Sequence, residues 1–230
     1  MRLDKYLTLC GLGTRSECRD IIKKKCIYVD DSIVTDPSVH VDDKNIVMHN
    51  GKKLVYEEYI YLMLNKPAGF ISARTDSDNK TVMDLIDENR KDLSPVGRLD
   101  KDTVGLLLIT DNGTLSHNML SPKKHVDKTY FFKSMKELSD DDIDRLRNGV
   151  DIGDANPTLP CRCERSDDGY LITIREGRYH QIKRMLKAVD NEVTYLKRIS
   201  FGPIRLDETL SEGSYRRLNK DELEMLLEYM

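Results

Sequence analysis

The sequence predicts an α+β protein of two domains, a small module over residues 1–58 and a larger domain over residues 59–230. Three observations carry this. At 230 residues the chain allows one or two domains of the usual roughly 100–200 residues. The charge reverses early: residues 1–25 hold seven basic side chains against three acidic, whereas residues 26–60 hold three against seven. Beyond residue 59, strand-like and helix-like segments alternate without a regular βαβ rhythm, which points to a mixed, mainly antiparallel sheet.

In the first domain, Leu3, Tyr6 and Leu7 recur at helical spacing, and Gly11-Leu-Gly13 interrupts them. Thr14 followed by Glu17 is a capping-box signature. It starts a second helix that runs to about Lys24, with Cys18, Ile21 and Ile22 as its apolar stripe. Short β-type runs follow at Ile27-Tyr-Val29, Ile33-Val34, Val39-His-Val41 and Ile46-Val-Met48, separated by turns rich in Asp and Asn. Together these make a compact module with one basic face. Asn50-Gly51-Lys52-Lys53 reads as a turn or linker.

The second domain opens with a buried-strand run, Ile60–Leu64, that ends in Asn65-Lys66-Pro67-Ala68-Gly69. Gly105–Thr110 is an apolar strand, and Asp111-Asn112-Gly113 reads as a tight turn. Ser139–Asn148 is a helix with three Asp in its first turn, which suits the positive end of the helix dipole. Tyr170–Arg175 alternates like a strand. Ile182, Met185, Leu186 and Val189 give His180–Val189 a helical stripe, and Asn219 with Glu222 caps a final helix.

Composition excludes several classes. There are 37 Lys+Arg against 40 Asp+Glu, so no strongly basic tail dominates, although charge distribution over faces still allows nucleic acid. The longest apolar stretches fall far short of the roughly 20 residues that span a membrane. The first residues interleave charge with apolar side chains and lack a signal-peptide core. A soluble, cytoplasmic protein is expected. The five cysteines, 10, 18, 26, 161 and 163, are an odd number and argue against a secreted disulfide framework. Neither they nor the five histidines show metal-ligand spacing, so no metal is expected and the cysteines read as small buried hydrophobes.

Three stretches can carry chemistry. The first, Gly97-Arg98-Leu-Asp100-Lys-Asp102-Thr103-Val-Gly105, places an arginine and carboxylates just before a buried strand, where a loop presents them at a cleft. Asp100 and Asp102 are two apart and in extended chain would face opposite sides, so they make a poor facing pair for glycoside hydrolysis. The second is Lys128-Thr129-Tyr130, at the start of a strand. The third, Glu176-Gly-Arg178-Tyr-His180-Gln181-Ile-Lys183-Arg184-Met, lies in a stretch from 175 to 187 with five basic residues against one acidic. A basic turn entering a helix suits phosphate contact.

Gly-Arg-Leu-Asp-x-x-Thr-x-Gly-Leu-Leu resembles the catalytic motif of the pseudouridine synthases. Lys-Thr-Tyr resembles their tyrosine motif, and Gly-Arg-Tyr-His-Gln-Ile-Lys-Arg-Met their third motif. Met-Arg-Leu-Asp-Lys-Tyr-Leu with Arg15 and the following helix is similar to an S4 RNA-binding domain. The order of S4 module, Leu-Asn-Lys-Pro-x-Gly and three motifs is that of the RsuA/RluB/RluE/RluF branch, and the resemblance covers nearly the whole chain. Thr14-Arg15 stands where the branch usually has Ser-Arg; either hydroxyl caps a helix.

The resemblance implies a pseudouridine synthase domain with a catalytic cleft, acting as an rRNA isomerase in ribosome biogenesis. Asp100 takes the nucleophile or base position, Lys183 its cationic partner where relatives outside the branch have Arg, and Tyr130 the place against the uracil ring. No group leaves and no redox change occurs, so no cofactor is expected. The expected partner is ribosomal RNA, bound by a monomer. Its expected contacts are Arg2, Lys5, Arg15, Arg19 and Lys23, Lys24 and Lys25 on the module. On the larger domain they are Lys66, Arg98, Arg178, His180, Gln181 and Arg184. The compact length suits the small-subunit enzymes of the branch, whose target is uridine 516 of 16S rRNA. Large-subunit enzymes and an inactive RNA-binding assembly factor are the alternatives.

Overall fold

The computed structural model describes residues 1–42, 44–88, 90 and 92–229. They form two compact units, Met1–Tyr59 with Asn89–Lys91, and Ile60–Glu88 with Asp92–Met230.

The first unit begins with helices α1 (Leu3–Leu9) and α2 (Arg15–Lys23). At α2 the Thr14 hydroxyl accepts from the Glu17 amide, and the Glu17 carboxylate accepts from the Thr14 amide at 2.7 Å, so the capping box forms as the sequence requires. Four short strands follow, β1 (Ile27–Val29), β2 (Ser32–Ile33), β3 (Val47–His49) and β4 (Lys52–Leu54). They pair antiparallel in the order β2-β1-β3-β4. Leu3, Leu7, Cys18, Ile22, Ile27 and Val47 are fully buried between helices and sheet. Asn50 and Gly51 both adopt positive φ, the backbone of a two-residue hairpin turn, so this segment joins β3 to β4. Val39–Val41 is extended but adds no strand to the sheet. Its backbone bonds go instead to Met1 and Leu3, each at 2.7 Å, and residue 40 makes a lone bridge with Arg2. Arg90, placed by the sequence reading in the second domain, donates to the carbonyls of Glu57 and Glu58 and belongs to this unit.

The second unit is built on a nine-stranded sheet. In chain order its elements are β5 (Tyr61–Lys66), β6 (Ser94–Pro95), β7 (Val104–Thr110), α3 (Gly113–Leu120) and β8 (Lys128–Ser134). Then come α4 (Asp140–Asn148), β9 (Arg162–Ser166), β10 (Gly169–Ile174), α5 (Gln181–Lys187) and β11 (Val193–Phe201). Last are β12 (Ile204–Arg205), β13 (Tyr215–Arg217) and α6 (Lys220–Leu227). The main path is β13-β5-β7-β11-β8-β10-β9, with β6 on β7 and β12 on β11. Its strands pair antiparallel except for β7 with β11.

Every residue of β7 is buried, because both sheet faces are covered. Leu107 and Ile109 join the larger apolar cluster with Phe132, Ile172, Met185 and Leu186; Leu106 and Leu108 join a smaller one with Met63, Phe201 and Leu226. Strand alternation divides these four residues between the two faces. Gly105 has φ +98, and a Cβ there would lie 2.3 Å from the carbonyl oxygen of Arg198. Only glycine lets β11 approach β7 at that point. The Asp111-Asn112-Gly113 turn proves to be a helix start: the Asn112 side chain accepts from the Leu115 amide at 3.0 Å and caps α3. Among the described residues, no helix is long and apolar enough to cross a membrane.

Candidate active site

The site grows from a tight turn ahead of β7. The Thr103 amide donates to the Asp100 carbonyl at 3.1 Å, so residues 100–103 curl instead of extending. The sequence reading assumed extended chain and put Asp100 and Asp102 on opposite sides; the turn brings both carboxylates to one cation.

Two buried side chains fix this turn. Ser72 Oγ accepts from the Leu99 amide and donates to the Leu99 carbonyl, both at 3.0 Å. Lys66, the last residue of β5, is 0% exposed. Its ammonium donates to the carbonyls of Thr103 (2.8 Å), Asp100 (3.1 Å), Pro67 (3.1 Å) and Lys101 (3.4 Å). Burial pulls this ammonium down to about 8, against the opposing pull of the Asp102 and Asp100 carboxylates. Lys66 is therefore not an RNA contact as expected. It is sealed beneath the turn and holds it.

The opposite wall is α5 and the loop before it. Gln181 is buried; its carbonyl oxygen accepts from the Arg178 amide (3.0 Å) and its NH2 donates to Glu176 (2.8 Å). Arg178 donates to Glu176, to the carbonyls of Asn156 (2.7 Å) and Pro157 (2.9 Å), and to Asp154. Arg184 donates to the carbonyls of Ile152 (3.0 Å) and Tyr179 (3.1 Å) and pairs with Asp154. All three were expected on RNA, but Arg178 and Arg184 spend their donors tying residues 152–157 to the loop, and Gln181 braces the loop itself through Glu176 and Arg178. Local sequence cannot show this, because the partner carbonyls lie some 20–30 positions away.

His180, at the N-cap of α5 with φ +47, and Lys183 one turn later point to the same place. Lys183 Nζ lies 3.1 Å from Asp100 Oδ2 and 2.5 Å from Asp102 Oδ1, while His180 Nε2 lies 3.6 Å from Asp100 Oδ1. The Asp100 side chain is 26% exposed and that of Asp102 71%, so Asp100 is the inner carboxylate. Burial alone would lower the Lys183 pKa, but hydrogen bonds to Asp102 and Asp100 outweigh it and raise the value. Asp102 moves the other way: burial would raise its pKa, and the Lys183 ammonium brings it below the usual carboxylate range.

Tyr130, on β8 and 7% exposed, lines the same cleft with Ile174, Leu196, Thr103 and Ile182. The cleft is shallow and open to solvent, with about 440 Å³ of empty space when its mouth is counted. Arg98 lies exposed on its lining. The sequence reading missed two features. The apolar walls Ile174 and Leu196 carry no chemical signal in sequence. Tyr179 sits within the third motif, yet its 76% exposure is a property of the folded loop alone.

In the first unit, Lys5, Arg15 and Lys23–Lys25 are exposed, as expected of a phosphate-binding face. Arg2 and Arg19 are partly engaged: both reach the buried carboxylate of Asp4, at 3.1 and 3.0 Å, with about half of each side chain still exposed. The hydrogen bond from Arg2 leads in holding Asp4 at about 2, against burial and with help from Arg19.

The site thus sets an inner aspartate, paired with a lysine, in a cleft with an aromatic and apolar wall. The first unit adds a cluster of exposed cations of the kind that meets phosphates. Comparison with known proteins specifies the class. Residues 60–188 match the RNA pseudouridylate synthase family and residues 1–47 the S4 domain. The chain is 46% identical over 236 residues to an uncharacterized RNA pseudouridine synthase, YtzG, of Bacillus subtilis, covering 99% of both. It is 38% identical to ribosomal small subunit pseudouridine synthase A of Vibrio cholerae, covering 97% of this chain and 98% of that one. A crystal structure of a pseudouridylate synthase superposes with a TM-score of 0.70 at 36% identity, covering 98% of this chain and 99% of the other. This chain belongs to the RNA pseudouridine synthase family.

Proposed function

We propose that the protein converts one uridine of small-subunit ribosomal RNA, uridine 516 of 16S rRNA, to pseudouridine as a step in ribosome biogenesis. The observation that carries the reading is the Asp100–Lys183 pair at 3.1 Å in a cleft walled by Tyr130. The full-length similarity to enzymes named for the small subunit supports the choice of RNA. The N1–C1′ bond breaks, the uracil turns, C5 bonds to C1′, and the C5 proton is lost while N1 regains one. Asp100 supplies the carboxylate as nucleophile or base, Lys183 holds it and balances its charge, and Tyr130 stacks on the ring and assists loss of the C5 proton.

To reach Asp100 the base leaves its stack, which costs a few kcal/mol and least where RNA is irregular. Arg98, His180 and the exposed cations of the first unit grip the flanking RNA; the two footholds raise the local concentration of the target. The chain works in the cytoplasm as a monomer and without a cofactor. The test is pseudouridine mapping of rRNA from a deletion strain complemented with wild type or Asp100→Asn. Loss of one 16S pseudouridine, restored by wild type alone, is expected. Loss from 23S rRNA would reassign the substrate, and an unchanged map would refute the reading.

A further inference from the structure

We propose that Tyr179 is a stacking platform for a nucleotide beside the target uridine, holding the RNA open at the mouth of the cleft. The inference rests on the RNA-isomerase reading above. No other large apolar or aromatic side chain among the described residues is as exposed as Tyr179, at 76%. Single exposed apolar residues are ordinary on protein surfaces. Three features set this one apart.

First, its ring lies against the His180 imidazole, with centroids 3.9 Å apart and planes at 18°, and His180 in turn approaches Asp100 at 3.6 Å. The stack thus leads from the inner carboxylate to solvent. Its inner face is covered and the tyrosine's outer portion is left open to water. Second, the ring stands on a braced backbone. The Tyr179 carbonyl accepts from Arg184, the preceding amide donates to Gln181, and His180 is set in a left-handed conformation. An aromatic face on such a loop loses little freedom when a base covers it. Third, the reaction creates the need. Drawing uracil into the cleft uncovers the face of a neighbouring base, and an aromatic ring at the rim restores the lost stacking. Because every base has a π-face, this contact supplies affinity and posture and does not select a base identity.

The test uses the full-length enzyme, Tyr179→Ala and Tyr179→Phe, with a fragment of small-subunit rRNA containing the mapped uridine. Two further RNAs carry an abasic site on its 5′ or 3′ side. Single-turnover rates are measured against enzyme concentration. On intact RNA, Tyr179→Ala is expected to raise the half-saturating concentration roughly 5- to 150-fold, the range for one base–aromatic stack, with a smaller effect on the plateau rate. Tyr179→Phe keeps most of the affinity, and the alanine penalty disappears on one of the two abasic RNAs. An equal penalty on all three RNAs would mean that Tyr179 only props His180, and would overturn the proposal. So would a wild-type response from Tyr179→Ala, or a phenylalanine variant as weak as alanine. Failure of the wild type to modify the intact fragment would instead overturn the isomerase reading, and the stacking role with it.

Discussion

Replacing Lys66 by methionine separates a structural lysine from an RNA contact. The methionine keeps the apolar stem but removes an ammonium that bonds four carbonyls, the nearest being Thr103 at 2.8 Å and Asp100 at 3.1 Å. Hydrogen bonds from a charged donor are worth about 1.5–3 kcal/mol each net, so the two shortest contribute about 3–6. Relief from keeping a charge buried offsets part of this, leaving a loss of about 2–4 kcal/mol. The chain has no tryptophan, so urea unfolding is followed by circular dichroism, with the loss expected in the transition of the second unit. Turnover per folded molecule should also fall, because the turn carrying Asp100 loosens. The fall of RNA affinity with salt should keep the wild-type slope, since the ammonium is sealed from solvent. A phosphate contact would instead flatten that slope by about 0.7–0.9. Wild-type stability with a flattened slope would refute the assignment.

Lys183→Met should cut single-turnover rates more than RNA affinity, with partial recovery in Lys183→Arg, which keeps the charge but not the compact geometry; equal rates in all three would disprove the pairing with Asp100. Combined Lys23→Ala, Lys24→Ala and Lys25→Ala changes should flatten the salt dependence of RNA binding and leave the melting of both units unchanged, as read by filter binding and thermal melts. Asp4 gives a pH signature. Its folded-state pKa of about 2 lies below the ordinary 3.8, so its stabilising contribution is present above 3.8 and is lost as pH falls from there through 2. Melts at pH 5 and pH 2.5 should show a larger loss for wild type than for Asp4→Asn; parallel losses would rule out the buried ion pair as the cause.

What could be read from sequence was what local physics decides. Thr14 with Glu17 and Asn219 with Glu222 each mark a helix start by a reciprocal capping bond, and both form; the three Asp after Ser139 mark a third. The alternation of Tyr170–Ile174 gives a strand with buried and half-buried residues in turn. Asp100, Tyr130 and Lys183 were legible because each sits in its own contiguous motif, and the fold brings the three to one cleft. The failures share a cause. Lys66, Arg178, Gln181 and Arg184 look like phosphate ligands by charge and polarity, yet each spends its donors within the protein. For Lys66, Arg178 and Arg184 the partners include carbonyls far along the chain, and nothing in a short window reveals them. Gly113–Leu120 was missed for the opposite reason. Asn and Gly signal a turn and a helix cap alike, and the packing of Leu115 and Met119 decides between them.

The pairing of β13 with β5 orders events during synthesis. Tyr215, Arg216 and Arg217 pair with Leu64, Met63 and Leu62, so the edge of the large sheet closes only after about 150 intervening residues have been made. The fully buried core of the first unit, by contrast, lies within residues 3–47, with Leu54 and Tyr56 packed on it. At about 5–20 residues per second, a nascent chain carries the core of the RNA-binding module for roughly 8–30 s before the strand that completes the catalytic sheet leaves the tunnel. During that interval β5 presents an unpaired edge, the feature by which incomplete sheets associate wrongly. Truncations that remove β13 should therefore yield aggregating protein in which the first unit is still folded, and slow translation beyond residue 60 should lower the yield of active enzyme.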